Sequence, residues 1–257
     1  MLTLEELIEN SNQQSKIWLE RMSFTSESVK KFSSNFNYHH VLLALSNLIK
    51  SELYVLKHNF YVSGLIDELQ IKKFNSRLLD YGLKSIAYCI LSDNESLIQR
   101  YAKLRYQRDV NTELSMDEMV LKGESAITCN TVQFFLENNS EGIERNLNIY
   151  ELKKDKILKR GKELELDFTF FKALHTNDKS KMEEILGKLV SAKIHKKRND
   201  NPILNQYISL PALGYAKLAW RKGIEVEVNS PLVPKELLPI KPLDNYEIPY
   251  DFLKDSL

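Results

Sequence analysis

Histidine and cysteine are the residues of this chain best suited to metal binding, acid–base chemistry and nucleophilic attack, and neither occurs at a spacing typical of a site. The five histidines are His39, His40, His58, His175 and His195. His39 and His40 are adjacent, so on a helix their side chains point about 100° apart and do not readily bind one metal ion. No HExxH or Hx3H pattern occurs. We therefore predict surface or helix-capping histidines and no metal site.

The patterns of common catalytic and cofactor sites are also missing from the sequence. Cys89 and Cys129 lie in no recognisable reactive motif, and no GxSxG segment presents a serine nucleophile. The eight glycines form neither GxGxxG nor GxxxxGK[ST], the loops that cradle phosphate. Carboxylates fall on helix faces that we expect to be solvated, although a buried catalytic pair can exist without a sequence pattern. The prediction is a protein that is not an enzyme and binds no cofactor.

Basic residues are concentrated in two runs between positions 153 and 198. The first run contains Lys153, Lys154, Lys156, Lys159, Arg160 and Lys162, and the second contains Lys193, Lys196, Lys197 and Arg198. With Tyr207, Tyr215 and Trp220 downstream, these runs could form an RNA- or DNA-contacting ridge. The alternative is a solvated helix face. We favour the alternative because the net charge of the chain is only +1, whereas phosphate binding usually requires a basic excess.

The charge balance reverses after Gly223. Acidic residues there outnumber three lysines and comprise Glu225, Glu227, Glu236, Asp244, Glu247, Asp251 and Asp255. Aromatic residues at 246, 250 and 252 lie among them. This segment is either a partner-binding surface or a structured strap over the core. As the partner-binding surface, its candidate residues are Glu225, Glu227, Asp244, Glu247 and Asp251.

The elements that must position these residues are predicted to be helices. Only 8 glycines and 7 prolines occur in 257 residues, and four of the prolines lie between Pro231 and Pro242, so turn-forming residues are scarce elsewhere. We expect an all-α fold of stacked antiparallel helical hairpins in one domain, 1–257. Its helical halves are 1–110 and 111–222, followed by an extended, proline-rich arm at 223–257.

The compartment is predicted from the cysteines and the apolar segments. Two distant cysteines form no disulfide framework, which favours reduced thiols. The first residues, MLTLEELIENSNQQ, do not resemble a signal peptide. No apolar run approaches the ~18 residues of a membrane span. We expect a cytoplasmic protein with no membrane contact.

Capping patterns place the helix boundaries. Thr3 with Glu6 and Ser115 with Glu118 have the spacing of capping boxes. A long helix is predicted from about Val29 to Leu56, with a break near Asn35–Asn37. Three helical hairpins are predicted to turn at 92–95, 137–140 and 175–178, and a further break falls at Asn199-Asp200-Asn201-Pro202, where Asn201 would cap the next helix.

The segment 209–238 has the most distinctive pattern. Pro211 suits a first helical turn, and Gly223 suits the left-handed residue that ends a helix. Ile224, Val226 and Val228 then alternate with glutamates, which is typical of a strand or of an extended arm lying on the helices.

The last third of the chain resembles the bacterial immunity protein 49 family of polymorphic toxin systems. The resemblance lies in Phe171-Lys172-Ala173-Leu174, Asn177-Asp178, His195, Arg198, the helix 210–220, Gly223-Ile224-Glu225-Val226 and the segment 230–238. It implies a helical antidote that binds a cognate toxin protein, blocks it and performs no reaction itself. Two alternatives remain open. One is a helical scaffold or regulatory module, and the other is an RNA-binding protein that uses the basic runs. Neither the oligomeric state nor the identity of the toxin follows from the sequence.

Overall fold

The computed structural model describes residues 3–22, 25–110, 113–199, 201 and 203–254. Thirteen α-helices and no β-strand occur within these ranges, so the all-α prediction is confirmed. The helices are α1 (Leu4–Arg21), α2 (Ser26–Ile49), α3 (Leu53–Phe74), α4 (Lys84–Leu91), α5 (Glu95–Ala102), α6 (Met116–Leu121), α7 (Ala126–Leu136), α8 (Ser140–Leu158), α9 (Leu164–His175), α10 (Lys179–Leu189), α11 (Ala192–Arg198), α12 (Leu210–Arg221) and α13 (Asp251–Lys254). None of these helices is both long and apolar enough to cross a bilayer.

The first three helices pack in sequence, α1 on α2 and α2 along α3. Both predicted capping boxes are present, at Thr3 with Glu6 and at Ser115 with Glu118. The predicted long helix 29–56 is wrong in its boundaries, because the chain turns at Ser51, whose φ is 58°. Asn37 does not break α2, since its amide donates to the Ser63 carbonyl and to Asp67 on α3.

The three predicted hairpin turns share one backbone arrangement. Each contains a left-handed residue, at Asp93, Asn138 or Asn177, with φ of 56–57°. The next residue, Asn94, Asn139 or Asp178, caps the following helix with its side chain. Asn and Asp tolerate the left-handed region and are strong N-caps, which explains why a dipeptide of these residues reverses the chain. Gly123, with φ of +68°, separates α6 from α7.

Helix α12 lies at the centre of the packing, in contact with α4, α7 and α10. Pro211 lies in its first turn and Gly223 follows its end with φ of +77°, as the sequence indicates. Gly214 allows the close approach to α4, because a Cβ there would lie 2.6 Å from a methyl of Leu83. The Asn201 side chain accepts from the backbone N–H groups of Ile203 and Leu204, but the element that follows is a short 3-10 turn, Leu204–Gln206, rather than an α-helix. Asp200 and Pro202 of the same predicted break lie outside the described residues.

Candidate partner-binding surface

A buried carboxylate lies at the turn between α4 and α5. Asp93 is 1% exposed, and its left-handed backbone is part of the first hairpin turn. The equivalent turn residues, Asn138 and Asn177, carry no charge. An ionised carboxylate away from water requires positive partners, so Asp93 must be explained by its neighbours.

Two lysines from distant helices supply that charge. Lys57 of α3 donates to Asp93 Oδ2 over 2.7 Å, and Lys217 of α12 lies 2.7 Å from Oδ1. The Lys57 side chain is 4% exposed and that of Lys217 is fully buried. Two ammonium groups therefore share one carboxylate in a closed space. Lysine side chains are rarely buried without partners, and both ammonium groups donate further hydrogen bonds.

These further bonds go to the chain that follows α12, which we call the arm (223–254). Lys217 Nζ donates to the carbonyls of Leu237 and Pro239, each over 2.8 Å. Lys57 Nζ donates to the carbonyl of Lys241 over 2.7 Å. These five groups and Asp93, which we call the lysine cluster, fasten residues 237–241 of the arm to α3, α12 and the α4–α5 turn.

The electrostatics of the lysine cluster are dominated by burial. Burial lowers the pKa of Lys217 to about 8, although Asp93 acts in the opposite direction. Lys57 and Arg221 add to the lowering by repulsion. The sequence did not predict this cluster. Its one signal was the position of Lys217 in a helix whose other residues from 210 to 219 are apolar or aromatic.

The arm is fastened at both ends as well as at its middle. Near its start, the Trp220 indole N–H donates to the Val226 carbonyl over 3.1 Å. Farther along, the Tyr246 hydroxyl donates to the Ser92 carbonyl over 2.7 Å. At the far end, Tyr250 packs against Phe36 of α2 with tilted rings whose centroids lie 4.9 Å apart. The arm thus crosses from the end of α12 over the α4–α5 turn and α3 to α2.

All five candidate carboxylates, Glu225, Glu227, Asp244, Glu247 and Asp251, are exposed on this arm. Their contacts place them in two groups. Glu225 and Glu227 alternate with buried Val226 and Val228 near α10, where Glu183 accepts from the Glu227 backbone N–H. The other three follow the lysine cluster and lie over α3 and α2. Only Asp251 has an ion-pair partner among the described residues, Lys254. Asp255 of the predicted acidic tail lies outside the described residues.

Residues of both basic runs bind carboxylates at the start of α9, and much of the charge of these runs is paired internally. Lys197 lies 2.5 Å from Glu163, at the start of α9, while Lys154 lies 2.6 Å from Glu165. Lys156 and Arg160 both contact Glu124, at 2.6 and 3.2 Å. The pairing agrees with the interpretation of these runs as ordinary helix faces, which the near-neutral total charge favoured.

Arg198 is the least exposed basic residue of the second run, with a side chain that is 14% exposed. Its guanidinium donates to both carboxylate oxygens of Asp167, over 2.9 and 3.1 Å. The Tyr215 hydroxyl donates to the same carboxylate over 2.7 Å. Burial opposes the charge of Arg198, but Asp167 outweighs it and the pKa of Arg198 is raised. Because Tyr215 is fully buried, it is not available to stack on a base, as the RNA-binding interpretation would require.

The histidine prediction is wrong for two residues. His39 and His40 are each 6% exposed, and they accept or donate inside the protein rather than at its surface. His40 contacts the Asn59 side chain over 2.7 Å and the Tyr250 hydroxyl over 2.8 Å. Burial lowers the pKa of His40 to about 3, so it is neutral at physiological pH. The described residues contain no cluster of side chains suited to a metal ion.

Both cysteines are buried free thiols. Burial raises the pKa of Cys129 to about 12 and also raises the pKa of Cys89. A reactive cysteine requires the thiolate form, which these environments disfavour. Neither thiol is therefore placed as a nucleophile.

Concave regions occur on two sides of the protein. Adjoining cavities of about 240 and 250 Å³ share Tyr81, Lys84, Tyr88, Asn201 and Leu204, and none of the five arm carboxylates lines them. A shallower depression of about 530 Å³ lies between the end of α2 and the arm. Ile49 and residues 230–236 line it.

Residues 39–237 match the family model of immunity protein 49. The chain belongs to the immunity protein 49 family. No curated protein and no solved structure matches it. The matched segment begins in the middle of α2 and ends at Leu237, whose carbonyl accepts from Lys217.

The residues by which the chain resembles other immunity proteins 49 have structural roles here. Phe171 packs edge-on to Tyr215, with ring centroids 5.4 Å apart. His195 contacts the Asn205 carbonyl over 2.7 Å, and Arg198 binds Asp167. These residues stabilise the packing of α9, α11 and α12. These three family residues therefore serve the scaffold, whereas Glu225, which also belongs to the resemblance, is exposed on the arm.

Proposed function

We propose that this immunity protein binds a cognate toxin protein and neutralises it by covering its active site or substrate path. It performs no reaction of its own and acts in the cytoplasm of the cell that makes it. The membership in the immunity protein 49 family supports an immunity function. The finer statement, neutralisation by direct binding, is our proposal.

The observation that carries the proposal is the fixed, exposed acidic arm. Its backbone is held by the lysine cluster, while Glu225, Glu227, Asp244, Glu247 and Asp251 are exposed. A surface that is ordered before binding loses little conformational entropy on association. Exposed charges of one sign accelerate association with a partner of opposite charge and disfavour other partners. The acidic side of the arm is therefore the proposed toxin-binding surface, and these five carboxylates are the candidates among which the contact residues are sought.

Co-expression tests the proposal. The toxin encoded beside the gene for this protein is induced in cells with and without the protein, and survival is counted. We expect survival to be restored by the protein and the two proteins to copurify. If cells die equally with and without it, the immunity proposal is wrong. Survival without copurification would remove direct binding while leaving an immunity function.

A further inference from the structure

The two ends of the arm differ in what surrounds their carboxylates. At the start of the arm, the apolar residues beside Glu225 and Glu227 are Val226 and Val228, and both are buried. At the far end, exposed apolar side chains adjoin the acidic ones. Tyr54 is 54% exposed, Val55 39% and Ile240 41%. We call Tyr54, Val55, Ile240, Asp244 and Glu247 the distal patch.

Two contacts hold the acidic part of the distal patch against α3. The Tyr54 hydroxyl reaches the Asn245 carbonyl over 3.4 Å, next to Asp244. The His58 ring contacts the Glu247 carbonyl over 3.0 Å, one helical turn after Tyr54. The depression of about 530 Å³ between α2 and the arm borders the same α2–α3 turn through Ile49, which is 56% exposed.

The composition of the distal patch is that of an interface centre. Exposed aromatic residues are the commonest anchors of protein–protein binding energy, and a nearby depression can accept an anchor from the partner. The charge specifies the partner, since residues 240–251 contain three carboxylates against the single charge of Lys241. A basic surface with an apolar projection complements this arrangement.

We infer that the distal patch is where the cognate toxin docks, and that the docked toxin surface is basic, as in an enzyme that acts on nucleic acid. This inference rests on the proposed function and narrows it to three arm and two α3 residues. A nucleic-acid-processing enzyme binds phosphate through Lys and Arg side chains, and fixed carboxylates would occupy them. Ile240, Asp244 and Glu247 lie beyond Leu237, where the family match ends. Contacts specific to one toxin are expected in such a segment.

The test uses the neighbouring toxin, made catalytically inactive, and matched double charge reversals. In Asp244→Lys/Glu247→Lys the charge of the patch changes by four units, and we expect the dissociation constant to rise about 100-fold. Glu225→Lys/Glu227→Lys makes the same change at the start of the arm. We expect its dissociation constant to stay within about threefold of the unmodified protein.

A second variant tests the contribution of the aromatic ring to toxin affinity separately from that of the carboxylates. Tyr54→Ala removes the exposed ring, and we expect about tenfold weaker binding with the salt dependence of the affinity unchanged. Asp244→Lys/Glu247→Lys should weaken that salt dependence. Unfolding temperature and circular dichroism of all variants show whether each one is folded. All of these residues are exposed, so their replacement should leave the fold intact.

Several outcomes would overturn the inference. If the reversal at Glu225 and Glu227 weakens binding and the reversal at Asp244 and Glu247 does not, the toxin docks at the other end of the arm. If neither reversal matters, the acidic arm is not the docking surface. If the patch variants convert a dimer of this chain into monomers and leave toxin affinity unchanged, the patch is occupied by a second copy. If the unmodified protein fails to protect cells, the proposed function itself is wrong.

Discussion

In the two basic runs, five side chains form ion pairs with carboxylates of the same protein. On the arm, only Asp251 of the five candidate carboxylates does so among the described residues. The basic runs therefore use much of their charge to hold the α6–α7 turn, α8, α9 and α11 together. The lysine cluster binds the arm on its buried side, and the acidic side chains of the arm remain exposed to solvent. A dense run of charge is thus a poor indicator of a binding site until its internal partners are known.

The largest effect should come from removing the carboxylate that fastens the arm. Asp93→Asn leaves Lys57 and Lys217 buried without a counter-charge, so we expect the free energy of unfolding to fall by about 3–5 kcal/mol. Urea denaturation measures it. Asp244→Asn, on the exposed side of the arm, is the control and should change the free energy by less than about 0.5 kcal/mol. If the two substitutions lower the free energy of unfolding equally, the buried Asp93 does not fasten the arm more strongly than the exposed Asp244 does.

The pH dependence of Lys217 gives the next largest effect. Its pKa is about 8 when folded against the ordinary 10.5, so the unfolded chain binds more protons between these values. Stability therefore rises with pH across this window, by up to about 3 kcal/mol from this group. The unmodified protein should gain stability relative to Lys217→Met between pH 8 and pH 10, measured by urea denaturation. A difference that stays constant or shrinks would contradict the burial of a charged Lys217.

A smaller effect is expected at the far end of the arm. Tyr250→Phe removes the hydroxyl that contacts His40 Nε2, and a lost buried hydrogen bond should lower the free energy of unfolding by about 1 kcal/mol. Thermal and urea unfolding measure it. The matched control is Tyr54→Phe, whose exposed hydroxyl lies 3.4 Å from its acceptor, and it should be nearly neutral. If the two substitutions are equivalent, the far end of the arm is not held by this contact.

The smallest effect is expected in the basic runs. Lys153, Lys159 and Lys162 form no ion pair within the described residues, so replacing all three by Gln should not disturb the scaffold. We expect toxin affinity within about twofold of the unmodified protein, and no gel shift of generic RNA at low salt by either protein. RNA binding that is lost in the triple variant would instead support the RNA-binding alternative.

Much of the fold could be predicted because its signals are local. The cap pairs Thr3–Glu6 and Ser115–Glu118 and the stop at Gly223 depend on residues a few positions apart. The α2–α3 boundary was missed because Ser51 adopts the left-handed conformation without a glycine or proline to indicate it. Asn37 suggested a break in α2, but its side-chain amide instead donates to Ser63 and Asp67 of α3.

The candidate site also combines features that the sequence indicates with features that it does not. Exposure of Glu225, Glu227, Asp244, Glu247 and Asp251 agrees with their pattern on a polar, proline-rich segment. The lysine cluster could not be predicted, since its three charged residues lie 36 and 124 positions apart. The residue type alone does not distinguish a buried lysine from a solvated one. Only the three-dimensional packing shows which of the 36 basic residues serve inside the protein.

Hydrogen–deuterium exchange of the protein alone and in complex with the inactive toxin locates the toxin-binding surface directly. We expect slower exchange on binding in segments 53–58 and 240–251, with little change in 151–162 and 192–198. Protection of the basic segments, with the arm unchanged, would contradict the assignment of toxin binding to the acidic arm.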